Sequence, residues 1–137
     1  MTIAIERFDH VVLNVNDVEA SAAWYAAVLG MQREDFASRT GTRVAMCFGR
    51  HKLNLRPVDA DARAWFTGAH PVAGSDDLCF ISEQPPAQVV AHLEACQVRV
   101  EAGPVERAGA LGPMTSVYCR DPDGNLIEIA WYPPVGG

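Results

Sequence analysis

The amino-acid sequence predicts an α+β fold made of two tandem βαβββ modules. Three observations carry this expectation. A β-rich run leading into a capped helix opens the chain, three further strand patterns follow it, and beyond a long connecting segment the same order of elements begins again. The first module is expected over about residues 5–58 and the second over about 76–133, the two sharing one domain over residues 1–137.

Residues 7–15 (Arg-Phe-Asp-His-Val-Val-Leu-Asn-Val) are β-rich, and Asn16-Asp17 offers a helix N-cap. Val18, Ala22, Trp24, Tyr25, Val28 and Leu29 then recur at helical spacing, with Gly30 where a helix should stop. Strands are expected over 32–38, 42–48 and 52–57, divided by turn signals at Thr40-Gly41 and Gly49-Arg50. Residues 58–75 read as a connecting loop. The second pass begins with a strand at 76–82. A helix then opens at Pro85-Pro86 with Val89, Val90, Leu93 and Cys96 on one face. Strands near 98–101, 115–119 and 126–131 complete it, with Gly103-Pro104 and residues 109–113 expected in loops. Superposing the two passes sets His10 on Asp77, 67 residues later, and Asn54 on Glu128, 74 residues later.

Composition narrows the classes of function. A chain of 137 residues buries roughly two-thirds of its unfolded surface, so it needs neither a disulfide nor a structural metal, and any metal would serve chemistry. The net charge is −6 and the 11 Lys and Arg residues are scattered, which argues against nucleic acid as a partner. Cys47, Cys79, Cys96 and Cys119 are far apart in apolar company and read as reduced core thiols. The N-terminal residues show neither a leader nor a membrane span, and a cytoplasmic location is expected. No nucleophile elbow, P-loop or zincin helix occurs.

The candidate site follows from polar residues inside apolar strands. Glu128 interrupts Leu126, Ile127, Ile129 and Ala130. Either it lies on a solvent face, or a cation must face it, because an unpaired buried carboxylate costs several kcal/mol. His10 shares its strand face with Phe8, Val12 and Asn14, as a packed histidine or as a ligand. If the repeat brings equivalent positions together, His10, Asp77 and Glu128 form an N/O set for Mn²⁺, Fe²⁺, Ni²⁺, Zn²⁺ or Mg²⁺, with Glu128 or Asp77 also serving as a base. Asn54 and Arg56 share a face and are candidates for substrate binding. Arg56 is open to three roles: an anion clamp, an internal ion pair with Glu128 or Asp77, or a surface side chain. Asp121-Pro122-Asp123-Gly124-Asn125 is a turn that sets the register of the Glu128 strand. His51 and His92 are expected in solvent, and His70 lies in the long loop.

Phe8-Asp9-His10-Val11-Val12-Leu13-Asn14-Val15, with Trp24-Tyr25 and Val28-Leu29-Gly30-Met31, resembles the opening module of the vicinal-oxygen-chelate superfamily of glyoxalases, bleomycin-resistance proteins and dioxygenases. Asp121 through Glu128 is similar to its closing strand. The likeness covers nearly the whole chain and is strongest to small glyoxalase-domain-containing proteins, through Ala69-His70-Pro71-Val72, residues 103–107 and residues 112–118. It implies a U-shaped sheet around a divalent metal and substrates that chelate that metal through adjacent oxygens. It also implies that His10 and Glu128 are ligands. Asp77 stands where many members have histidine, Asn54 where glyoxalase I has glutamate, and Arg56 where the nearest subgroup has histidine, so a glyoxalase I activity is not expected. Two readings follow: a metal-dependent lyase, isomerase or dioxygenase acting on a small oxygenated molecule, or a non-catalytic drug- or metabolite-binding protein using aromatics such as Trp24, Trp65, Phe66, Trp131 and Tyr132. A homodimer is implied by the family, with Trp65 and Phe66 at the interface or the pocket mouth.

Overall fold

A computed structural model describes residues 1–135; Gly136 and Gly137, the end of the expected domain span, lie outside the described residues. Two compact units are formed, Met1–Ala73 and a second that begins at Gly74. The first holds β1 (His10–Val15), α1 (Val18–Leu29), β2 (Gln32–Ser38), β3 (Gly41–Phe48) and β4 (His51–Pro57). The second holds β5 (Asp77–Ile81), α2 (Pro86–Ala95), β6 (Ala102–Gly109), β7 (Gly112–Arg120) and β8 (Leu126–Trp131). Strand order is β1-β4-β3-β2 in one sheet and β5-β8-β7-β6 in the other, so the repeat predicted from the sequence is a repeat of topology.

In the first unit the Asp17 carboxylate accepts from the Ala20 amide at 3.0 Å, and Gly30 ends α1 at φ 67°, a left-handed position that glycine occupies without a Cβ clash. Ser21, Ala22, Tyr25 and Val28 are the buried residues of α1, which packs on β2, β3 and β4. Beneath it lie Leu13, Val15, Val44, Met46, Leu53 and Leu55, all buried. Because strand side chains alternate, the opposite face of this sheet carries His10, Val12 and Asn14 from β1 and Lys52, Asn54 and Arg56 from β4.

The second unit repeats the plan. Pro86 starts α2, its missing N–H being one that a first helical residue does not need. Val89 and Leu93 are the buried residues of α2, which packs on β7 and β8. Val117, Cys119, Ile127 and Ile129 alternate along these strands as the buried core beneath it. The face opposite carries Asp77 and Cys79 from β5, Glu128 from β8, and Ser116 and Tyr118 from β7.

The second module departs from expectation at β6. Residues 98–101 are not a strand; the chain leaves α2 through Gln97 at φ 60°, the Glu101 amide makes a first bond to Tyr118 O at 2.9 Å, and β6 begins at Ala102. Gly103-Pro104, expected in a loop, lies inside β6 at an irregularity between Ala102 and Val105. Proline cannot donate to a ladder, and β6 is the sheet edge, where no donor is required of it. Residues 109–113 supply a tight hairpin turn, and β7 begins at Gly112 rather than at 115.

The turn at 121–125 fastens β8 to β5. Asp121 Oδ1 accepts from the amides of Asp123 and Asn125, both at 2.9 Å, and Oδ2 accepts from Asn125 Nδ2 at 2.8 Å. Asn125, fully buried, in turn accepts the Asp76 amide at 2.9 Å, while the Leu126 amide donates to Asp76 O at 3.0 Å. Gly74, at φ 85°, runs so close to the Asp123 carbonyl that a Cβ there would collide with it. Asn125→Ala removes two buried side-chain hydrogen bonds and is expected to lower unfolding free energy by about 2–4 kcal/mol. Urea denaturation measures this; a loss below about 1 kcal/mol would show that the turn does not hold the register.

Candidate functional site

On the first unit, His10 and Asn54 share the sheet face opposite α1. His10 pairs with Lys52 and Val12 pairs with Asn54, so the imidazole and the amide are diagonal neighbours. His10 Nδ1 lies 2.8 Å from Asp9 Oδ2, and the hydrogen bond from His10, followed by weaker charge effects, holds the Asp9 carboxyl below the usual carboxylate range. An ionised carboxylate can only accept, so Nδ1 donates, and in a neutral imidazole Nε2 is then the nitrogen that keeps a lone pair. Asn54 is 7% exposed, and its Oδ1 is buried with no hydrogen-bond partner. A buried amide oxygen without a donor is a costly arrangement, and such orphans cluster where a ligand supplies the missing contact.

Arg56 takes up a role outside the three open to it in the sequence. It is 1% exposed, and its guanidinium donates to Asn14 Oδ1 at 2.8 Å and to the backbone carbonyls of Trp65 (2.9 and 3.1 Å), Ala60 (3.0 Å) and Pro57 (3.3 Å). These acceptors are all neutral. The fork therefore holds residues 58–65 against the sheet. Arg43 assists it, donating to Ala64 O at 3.1 Å and stacking 3.9 Å above the Trp65 ring. Trp65 is thus partly covered by its own unit, whereas Phe66 is 86% exposed.

On the second unit, Asp77 pairs with Leu126 and Cys79 with Glu128, which repeats the offset that separates His10 from Asn54 in the first. Glu128 is half-buried, and its neighbours are hydroxyls: Ser116 Oγ donates to Oε2 at 2.6 Å, and the phenol of Tyr118, the residue paired with Glu128 across β7 and β8, interacts with the same carboxylate. Burial, before any charge effect, raises the Tyr118 phenol above its ordinary range and keeps it a donor. Arg107 Nε donates to Tyr118 Oη at 3.0 Å. Burial, and after it the charges of Glu128 and Asp77, push the Cys79 thiol up to about 11.

Ser116, Tyr118, Arg107 and Cys79 were not identifiable as site residues from the sequence. Their membership depends on which residue of β7 or β5 faces Glu128, and no local signal states that register. Among the described residues, no three His, Cys, Asp or Glu side chains stand close enough together to hold a metal ion. His10 and Asn54 are neighbours on one unit, and Asp77 and Glu128 on the other.

This repeated βαβββ plan, with polar donors on the faces opposite the helices, defines a known class. The chain belongs to the Glyoxalase/Bleomycin resistance protein/Dioxygenase superfamily, whose sequence profile matches residues 7–129. It is 41% identical to virulence protein STM3117 of Salmonella typhimurium, over 93% of this chain and 85% of that one. Integron cassette protein VCH_CASS1, from the mobile metagenome of V. cholerae, superposes with a TM-score of 0.90 at 38% identity, covering 97% of this chain and 100% of that structure. A lactoylglutathione lyase from Agrobacterium tumefaciens superposes with a TM-score of 0.69 at 26% identity, covering 93% and 95%.

The thiol chemistry of Cys79 tests the placement of the carboxylates around it. With its thiol near 11, roughly 1 in 10,000 of the Cys79 side chains is ionised at pH 7. Iodoacetamide is expected to modify Cys79 slowly at pH 7 despite its exposure, with a rate rising close to tenfold per pH unit through pH 9 to 10. Peptide mapping of the alkylated site against pH reads this, and a rate that levels off below pH 9 would contradict it.

Proposed function

We propose that the chain is a metal-dependent enzyme of lyase, isomerase or dioxygenase type, acting on a small molecule that offers two adjacent oxygens to a divalent cation. The observation that carries this reading is Glu128, a half-buried carboxylate whose partners are two neutral hydroxyls. A carboxylate in that position gains most from a cation, and Arg56 does not supply one, its donors being used by the loop at 58–65.

The donor chemistry fits a divalent ion. His10 offers an imidazole whose other nitrogen is held by Asp9, Asn54 an amide oxygen without a donor, and Glu128 a carboxylate held by Ser116 with Tyr118 beside it. In this reading His10, Asp77 and Glu128 are the ligands. When bound, the ion supplies stabilisation of negative charge as it develops on the substrate oxygens. The remaining work falls to the protein. Glu128 or Asp77 takes the proton that leaves the substrate carbon, and the two hydroxyls on Glu128 keep its carboxylate aimed while it does so. Asn54 orients the substrate, and Arg56 serves binding by fixing the loop beside it rather than by touching the ligand.

Titration of chelator-treated protein with Mn²⁺, followed by electron paramagnetic resonance, is expected to show tight uptake that weakens at least tenfold in His10→Ala and in Glu128→Gln. No uptake by the unaltered protein would overturn the reading in favour of a non-catalytic binding protein, whose ligand-induced stabilisation would be indifferent to chelator.

The same reading includes a symmetric pair of chains. Phe66 is 86% exposed, and Ile3, Ile5 and Phe8 are similarly bare, an amount of apolar surface that a second copy would cover. Light scattering at micromolar concentration is expected to give twice the chain mass, and Phe66→Glu is expected to reduce it. A monomer mass for the unaltered protein, with or without Mn²⁺, would eliminate the dimer.

A further inference from the structure

Arg107 on β6 pairs with Met114 on β7, which sets it on the same sheet face as Ser116 and Tyr118 and hence as Glu128. Its Nε donates to Tyr118 Oη at 3.0 Å, its guanidinium carbon lies 5.5 Å from the Tyr118 ring centroid, and its Nη1 donates to Glu106 O at 3.1 Å. A guanidinium has five N–H groups, so these two bonds leave most of its donors without a protein acceptor. No carboxylate forms an ion pair with Arg107 among the described residues, although Arg120, on the same face, is paired with Glu101 at 3.0 Å. Arg107 also lines an open hollow of about 390 Å³ at the β6–β7 hairpin, together with Glu106, Ala108, Gly109, Gly112 and Pro113. Glycine is required at 109, because a Cβ there would collide with Tyr132 Oη and Met114 Sδ.

We propose that Arg107, oriented by Tyr118, is an anion-binding residue, and that the ligand is a small organic carboxylate whose charge it takes up beside Glu128. This rests on the reading of Glu128 as part of the ligand site. Arg107 and Glu128 are joined through one phenol, so each partly balances the other. That balance is partial, because the phenol between them leaves N–H groups of the guanidinium unused and able to attract an anion with or without a cation on Glu128. A planar guanidinium with N–H groups to spare can meet a carboxylate through two parallel donors, the geometry in which such pairs are strongest. Tyr118 is a positioning residue: its Oη holds Nε and its ring lies 5.5 Å from the guanidinium carbon, which fixes the group at the edge of the hollow that Arg107 lines. The anion clamp considered for Arg56 is therefore transferred to Arg107.

The test uses glycolate and glycolamide, which present the same adjacent oxygens and differ in charge. Chelator-treated, ¹⁵N-labelled protein is titrated with each while the Arg107 Nε–H resonance is followed. The readout does not depend on metal, so failure here is distinguishable from failure to bind Mn²⁺. Glycolate is expected to shift that resonance saturably and to bind at least fivefold more tightly than glycolamide. In Arg107→Gln the two ligands should become equal when read by calorimetry, and in Arg107→Lys part of the preference should return. Because Arg107 is exposed, the melting temperature of Arg107→Gln should stay within a few degrees of the unaltered protein, which separates lost recognition from lost fold. The proposal is overturned if glycolate produces no shift, if glycolamide binds equally well, or if the preference survives in Arg107→Gln.

Discussion

The parallel pairing of the first strand of each unit with its last is the constraint from which the rest of the molecule follows. Two parallel neighbours cannot be joined by a tight turn, so the chain must leave β1, cross through α1 and a hairpin, and return as β4; β5 and β8 impose the same route on the second unit. That route covers one face of each sheet with a helix and leaves the other to polar side chains. It also fixes which residues become neighbours. A one-residue slip of β8 against β5 would turn Glu128 toward α2 and bring Ile127 or Ile129 out in its place. The buried Asp121–Asn125–Asp76 contacts stand against that slip.

The two units reach the same register by different means. In the first, β3 and β4 are joined through Gly49 and Arg50, with Gly49 at φ 51°. In the second, five residues intervene between β7 and β8, and they are held by side-chain hydrogen bonds rather than by a tight turn alone. The offset from His10 to Asn54 nevertheless recurs from Asp77 to Glu128. Within each unit the chemistry has diverged: the first presents an imidazole and an amide, and the second presents carboxylates.

Much of this was legible in the chain itself. Apolar periodicity located both helices, and the strands Gln32–Ser38 and Leu126–Trp131 begin and end where alternation and turn residues place them. The Asp17 cap and the Gly30 stop are local signals with local causes, and they are found where they were expected. β6 was hidden because Gly103 and Pro104 carry turn chemistry, and only the position of that strand at an edge, a tertiary fact, lets it keep them. Arg56 was misread for a related reason. A charge inside an apolar strand signals a ligand or a partner, but the partners here are carbonyls from a loop whose path no periodicity describes. The hydroxyls on Glu128 escaped notice because serine and tyrosine in a β-strand are ordinary until the register sets them beside a carboxylate.

The loop at residues 58–65 has no helix or strand of its own, yet it is tied by one buried guanidinium to three of its carbonyls, those of Val58, Ala60 and Trp65, and by a second that stacks on Trp65. Connecting segments of this kind usually lose conformational freedom when a ligand arrives, and that loss subtracts from affinity. Here the ordering has already taken place during folding, with Arg56 serving as an internal brace. A ligand approaching this side of the sheet meets a surface whose entropy has been spent beforehand, so even a few weak contacts with it can register as binding.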